Sequence, residues 1–158
     1  MKQILFVCTG NTCRSSMAEV IANHLARQKG WGDKLVFLSA GTHAFPGSPA
    51  SYNAVEAVKT YDLDLTSHAA KRVTQDLINR ADLVLTMTRG HKMLLAAQFP
   101  ASLGKLYTLH EYLGDEFRDV ADPIGGDLAV YQACAEELEG AVKELLRIIQ
   151  AEREAYKK

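Results

Sequence analysis

Cys8 and Arg14 stand at opposite ends of the segment Cys8-Thr9-Gly10-Asn11-Thr12-Cys13-Arg14-Ser15, with five residues between them. A span of that length can bend into a ring with the sulfur at its base and the guanidinium on its rim, so that both touch one oxyanion. Arginine suits the rim because its planar fork donates two parallel hydrogen bonds to phosphoryl oxygens and keeps its charge. Gly10 permits a positive φ or a close backbone approach, and Asn11 is one of the few other residues that tolerate the left-handed region. The amides of Thr9, Gly10, Asn11, Thr12 and Cys13, with those of a following helix, are expected to converge on the same anion. Such surroundings favour a thiolate, the form in which cysteine is a nucleophile, and Ser15 can donate a hydrogen bond to it. No metal is expected, because Cys8 and Cys13 lack a second nearby pair of ligands to complete a tetrahedron. The sequence contains no cofactor motif.

A strand and a helix must flank this loop. Ile4 to Val7 form a short apolar run, and after the turn Met17, Val20, Ile21, His24 and Leu25 recur at helical spacing. A second run, Leu35 to Leu38, leads through Ser39-Ala40-Gly41-Thr42 and a loop containing Pro46, Gly47 and Pro49 into a helical pattern at Ala54, Val55 and Val58. Leu83-Val84-Leu85 reads as a third strand, followed by a turn at Thr88-Arg89-Gly90 and a helix on Met93, Leu94 and Ala97. Lys105-Leu106-Tyr107 is a weaker fourth strand. From Asp127 to about Glu154 the positions Leu128, Tyr131, Leu138, Val142, Leu145 and Ile149 mark a long amphipathic helix, with a frayed end at Lys157 and Lys158. The alternation predicts an α/β fold: one domain over 1–158, a four-stranded parallel sheet with helices on both faces, and the anion loop after strand one. In such sheets ligands bind beyond the carboxyl ends of the strands, which is where Cys8 falls.

The 158 residues are 47% hydrophobic, with 18 basic and 19 acidic side chains and a formal charge of −1. That balance gives no reason to expect nucleic acid or a membrane surface as a partner. The N-terminal apolar run is too short for a secretory signal, and no stretch is long enough to cross a bilayer. Three cysteines, Cys8, Cys13 and Cys134, make an odd number without the spacing of a disulfide framework. This suits a reducing compartment, and a cytoplasmic location is expected.

With these residues in view, the chain resembles the low-molecular-weight protein tyrosine phosphatases, whose signature is an N-terminal Cys-x5-Arg-Ser loop after the first strand. The likeness extends through Ser39-Ala40-Gly41-Thr42, Ser67-His68, the strand near Leu83 to Met87, and Asp122-Pro123. It implies that Cys8 is the nucleophile, Arg14 the phosphate clamp and Asp122 the general acid. Asn11, Ser15, Ser39 and His68 are implied as a network that holds the loop in shape. Independently, Gly114, Pro123, Gly125 and Gly126 surround Asp122 with turn residues, so its carboxyl group can protonate a leaving atom and then activate water. The plainer reading is an ordinary loop ahead of a helix cap at Asp127; the two are compatible, and Asp115 and Asp119 are alternative acids.

The sequence departs from the usual family pattern at Ser16, where proline commonly stands, so the first helical turn is expected to be less rigid. It departs again at Ile124-Gly125, where tyrosine-directed members often carry aromatic residues. Thr12 resembles the bacterial protein arginine phosphatases, whereas an aliphatic residue there accompanies phosphotyrosine activity. Phosphorylated proteins, with phosphoarginine preferred, are therefore the expected partners, and the chain is expected to act as a monomer. Three other readings stay open: a tyrosine phosphatase of the same family, an arsenate reductase with Cys134 as a resolving thiol, and a phospho-ligand binder controlled by a reversible Cys8–Cys13 disulfide. Cys134 otherwise reads as a buried structural cysteine, and Cys13 as loop packing.

Overall fold

In the computed structural model, which describes residues 2–157, the first apolar run becomes β1 (Lys2–Cys8), buried on both sides from Ile4 onward. A strand covered on both faces needs no polar alternation, which explains the unbroken Ile-Leu-Phe-Val run. Ile4, Phe6 and Cys8 face one layer, and Leu5 and Val7 the other.

α1 (Arg14–Gln28) carries the chain back to β2 (Leu35–Gly41), and α2 (Tyr52–Lys59) and α3 (Gln75–Arg80) lead to β3 (Leu83–Thr86). Then come α4 (Arg89–Gln98), a 3-10 turn over Pro100–Lys105, β4 (Leu106–Thr108), α5 (Leu109–Tyr112) and the long α6 (Leu128–Ala155). The strands pair in parallel in the order β2-β1-β3-β4. The chain runs outward from β1 to β2 and then crosses to β3, so the crevice where topology switches lies beyond the carboxyl end of β1. Cys8 closes that strand.

One core joins Phe6 and Phe37, whose rings stack at 5.4 Å, to α1, α2 and the α6 stripe of Tyr131, Leu138, Val142, Leu145 and Ile149. The second, smaller core joins Leu5, Val7 and Val84 to Ile78, Leu95 and Leu106. Helices thus cover both faces, as the alternation predicts.

Three expectations need correction. Leu128 is exposed, so the buried stripe of α6 begins at Tyr131 rather than at the first helical residue. In α4 Met93 and Ala97 face solvent while His91 and Leu95 are buried, because the core-facing side of this helix begins with a polar ring that hydropathy does not flag. Lys105 belongs to the 3-10 turn, its ammonium donating to Ile78 O and Ala81 O at 2.7 Å, and β4 begins one residue later. α3 and α5, of 6 and 4 residues, are too short to show a period in sequence. Lys157 donates its N–H to Glu154 O at 3.2 Å, and the expected frayed end at Lys158 lies outside the described residues.

Candidate active site

The loop between β1 and α1 turns on Asn11, which sits at φ 58, while Gly10 has no left-handed backbone. The close approach that glycine permits belongs instead to Gly41 at the end of β2. A Cβ there would lie 2.4 Å from Thr9 O and 3.0 Å from Asn11 N, so any larger residue would push the loop away. β2's continuation fastens the loop along its length: Thr42 N donates to Cys8 O, His43 N to Thr9 O and Ser51 N to Thr12 O, at 2.9, 2.9 and 3.0 Å.

Asn11 organises the interior. Its amide nitrogen donates to Ser15 Oγ and Ser39 Oγ, both at 2.9 Å, and its Oδ1 accepts the Lys71 amide at 2.9 Å. His68 Nε2 donates to the Asn11 carbonyl at 2.6 Å. Because Ser15 Oγ already accepts from Asn11, its proton is free for Cys8 Sγ, 2.9 Å away. Ser39 passes its own proton to Glu19 Oε1 at 3.3 Å, a carboxyl that burial pushes above its ordinary range against the pull of Lys71 and His68. All four residues of the expected network therefore meet at one point, and every polar atom of the Asn11 side chain is used.

α1 opens differently from the other α-helices among the described residues. Ser51, Thr74, Thr88, Thr108 and Asp127 cap α2 to α6 with a side-chain oxygen, but Cys13 offers α1 no such cap. Its first amides, which every helix leaves without an internal partner, are therefore free of a side-chain acceptor, the arrangement that suits anion binding. Ser16, where proline commonly stands, donates its hydroxyl to Cys13 O at 3.0 Å within the first turn.

Arg14 is almost wholly buried and is held from the far side of the cleft. Its NH1 donates to Val120 O at 3.0 Å, and its NH2 lies 3.3 Å from Asp122 Oδ2. Cys8, Thr9, Gly10, Thr12, Cys13 and Arg14 on one side, and Asp122 and Ile124 on the other, line a cleft of about 130 Å³. Asp122 is half exposed above it, its Oδ1 accepting the Ile124 amide at 3.1 Å. Of the alternative acids, Asp119 is committed elsewhere, accepting the first amide of α4, Arg89 N, at 2.9 Å. Asp115 is exposed and does not line the cleft.

The three thiols are free and buried. Cys13 Sγ packs against Ser51 Oγ at 3.3 Å and Tyr131 OH at 3.5 Å. Burial pushes Cys134, on the inner face of α6, up to about 12, which suits packing and not thiol exchange. Among the described residues no cluster of His, Cys, Asp and Glu is arranged to hold a metal, and no helix is long and apolar enough to cross a membrane.

Sequence reasoning missed His91. Its Nε2 lies 2.8 Å from Thr9 Oγ1 and its Nδ1 lies 2.9 Å from Thr88 Oγ1. Threonine three residues ahead of a histidine after a strand is only a helix-cap signal, and nothing local links it to residue 9.

The family described as low molecular weight phosphotyrosine protein phosphatase matches residues 3–155. The protein-arginine-phosphatase of Bacillus subtilis (strain 168) is 39% identical over 150 residues, covering 95% of this chain and 98% of the relative. A solved YwlE arginine phosphatase mutant with a phosphorylated active-site serine superposes with a TM-score of 0.91 at 38% identity, over 96% of this chain and 98% of that one. A low molecular weight protein tyrosine phosphatase from T. tengcongensis superposes at 0.88 with 43% identity, over 93% and 99%. A Cys-x5-Arg loop closed over an uncapped helix, an acid above it, and relatives matched along almost their whole length lead to one conclusion: the chain belongs to the low molecular weight phosphotyrosine protein phosphatase family.

Proposed function

We propose that this protein is a cysteine-dependent phosphatase that hydrolyses phosphoarginine in proteins. The observation that carries the reading is the meeting of Cys8, Arg14 and Asp122 in one cleft. Cys8 sulfur attacks phosphorus while the loop amides and the Arg14 fork neutralise the equatorial oxygens, a stabilisation that grows as charge develops. The P–N bond breaks, and its electron pair goes to the guanidine nitrogen, which takes the proton of Asp122. The carboxylate so formed then removes a proton from water; the oxygen attacks the phosphocysteine, the P–S bond breaks, and phosphate and the Cys8 thiolate are released.

Identity does not choose between phosphoarginine and phosphotyrosine, since relatives named for each match comparably. Thr12 supports phosphoarginine. It lines the cleft with a hydroxyl whose neighbour in the loop is Cys13 Sγ at 3.7 Å, so its oxygen can accept from a guanidine N–H that an aliphatic wall would leave unpaired. Ile124, at the position where an aromatic wall would serve a phenyl ring, agrees. Kinetics on matched phosphoarginine and phosphotyrosine peptides, with Cys8→Ala as the inactive control, test the proposal. Preference for phosphoarginine, reversed toward phosphotyrosine in Thr12→Ile, is expected; the same ratio of kcat/KM in both proteins would refute the role of Thr12.

We propose further that the enzyme works as a cytoplasmic monomer. Peroxide is expected to inactivate it through a Cys8–Cys13 disulfide that thiol reductant reverses; mass spectrometry of the inactivated protein reads that bond directly.

A further inference from the structure

Thr88 Oγ1 accepts the His91 backbone N–H at 3.1 Å in capping α4, and the same oxygen lies 2.9 Å from His91 Nδ1. That N–H occupies one of the oxygen's two lone pairs; when the Thr88 hydroxyl turns its proton toward Nδ1, the ring proton sits on Nε2. Nε2 then donates to Thr9 Oγ1 at 2.8 Å. The relay consumes a lone pair of Thr9 and leaves the Thr9 hydroxyl proton free. Thr9 itself is exposed and lines the same cleft as Cys8 and Arg14.

We propose that His91 is a positioning residue of the phosphate loop: a neutral imidazole, oriented by Thr88, fixes the Thr9 hydroxyl so that its proton points at a phosphoryl oxygen of the bound substrate. The inference rests on the reading of this cleft as the phosphoryl site and adds a donor to it. It links the loop to a residue 82 positions away, on a helix none of whose residues lines the cleft. The charged and titratable groups facing the ring pull in both directions, and burial decides for neutrality. Arg14 and His43 oppose a positive charge there, Asp119 and Asp122 favour one, and burial outweighs them, taking the ring from 6.5 down to about 4. A neutral ring can relay a single proton direction; an imidazolium would donate from both nitrogens and could not accept from Thr88.

Because the Thr9 donor meets substrate and transition state alike, its loss should appear in KM and not in kcat. His91→Ala and Thr9→Val are each expected to raise KM for a phosphorylated substrate about fivefold, and to weaken competitive inhibition by inorganic phosphate by the same factor. The double variant should be no worse than either alone, and His91→Gln, whose amide nitrogen can donate to Thr9, should recover most of the loss. Multiplying effects in the double variant, or a fall in kcat with KM unchanged, would show that His91 acts structurally and overturn the proposal. Should His91→Ala not fold, an unaltered phosphate inhibition constant in Thr9→Val overturns it alone. Cys8→Ser tests the underlying site separately: full turnover in that variant would remove the phosphoryl site itself, whereas an inactive Cys8→Ser with additive Thr9 and His91 effects defeats only the relay.

Discussion

Asp122 spends its two oxygens differently. Oδ1 accepts the Ile124 amide and fixes the rotamer, while Oδ2 reaches toward Arg14 over the cleft. Asp122→Asn keeps the shape and removes the proton, so kcat should fall by about 10²- to 10⁴-fold while the fold is unchanged, as steady-state kinetics and circular dichroism would show. His91 supplies a pH signature. Its ring is held at about 4 in the folded chain against 6.5 ordinarily, so between those values the unfolded chain binds a proton that the folded one refuses. The contribution to stability is complete above pH 6.5 and is lost as pH falls toward 4. Melting temperatures measured across that window should decline less steeply in His91→Gln than in the parent protein.

Among the elements, α1 and α4 do the positioning. α1 leaves its first amides uncapped beneath Cys8 and sets Arg14 as its first residue. α4 opens against two site segments at once: its cap and His91 reach Thr9, and its first amide binds Asp119. The Asp119 contact, with Val120 N donating to Met87 O at 2.8 Å, seats the acid-bearing loop on the end of β3, and only then does Val120 O meet Arg14. Asp119→Ala should therefore lower kcat by about 10- to 10²-fold through misplacement of Asp122. The lost charge at the helix start should cost only about 0.3–1 kcal/mol of stability. Asp119→Asn, which retains an acceptor, should lie near the parent on both measures.

Across the whole molecule, the two cores hold the carboxyl ends of β1, β2 and β3 level, so that the segments after β2 and β3 brace the β1–α1 loop, Thr42 N at Cys8 O and His91 Nε2 at Thr9 Oγ1. α6 closes the larger core, and its wholly buried Leu138 lies in the middle of that stripe. Leu138→Ala should cost about 2–5 kcal/mol, read as a shifted denaturant midpoint, with KM little changed in the folded fraction.

Much of this was legible without coordinates because it is local. The Cys8-to-Ser15 loop, the strand before it and the helix after it are set by turn chemistry and apolar spacing within about two dozen residues. That the loop needs a left-handed residue was readable from Gly10 and Asn11, though only the fold put it on Asn11, and Asp127 as a cap was readable from residue type. What needed tertiary structure were partners brought together by parallel crossovers: His91 beside Thr9, Val120 on Arg14 across 106 positions, and Tyr131 on Cys13 across 118. Gly41 belongs with these, since its need for no side chain arises only where a second strand end presses on the loop. A sequence states each segment's own preferences; which side chains meet across the cleft depends on strand order and register, and those are decided by packing the whole sheet between its helices.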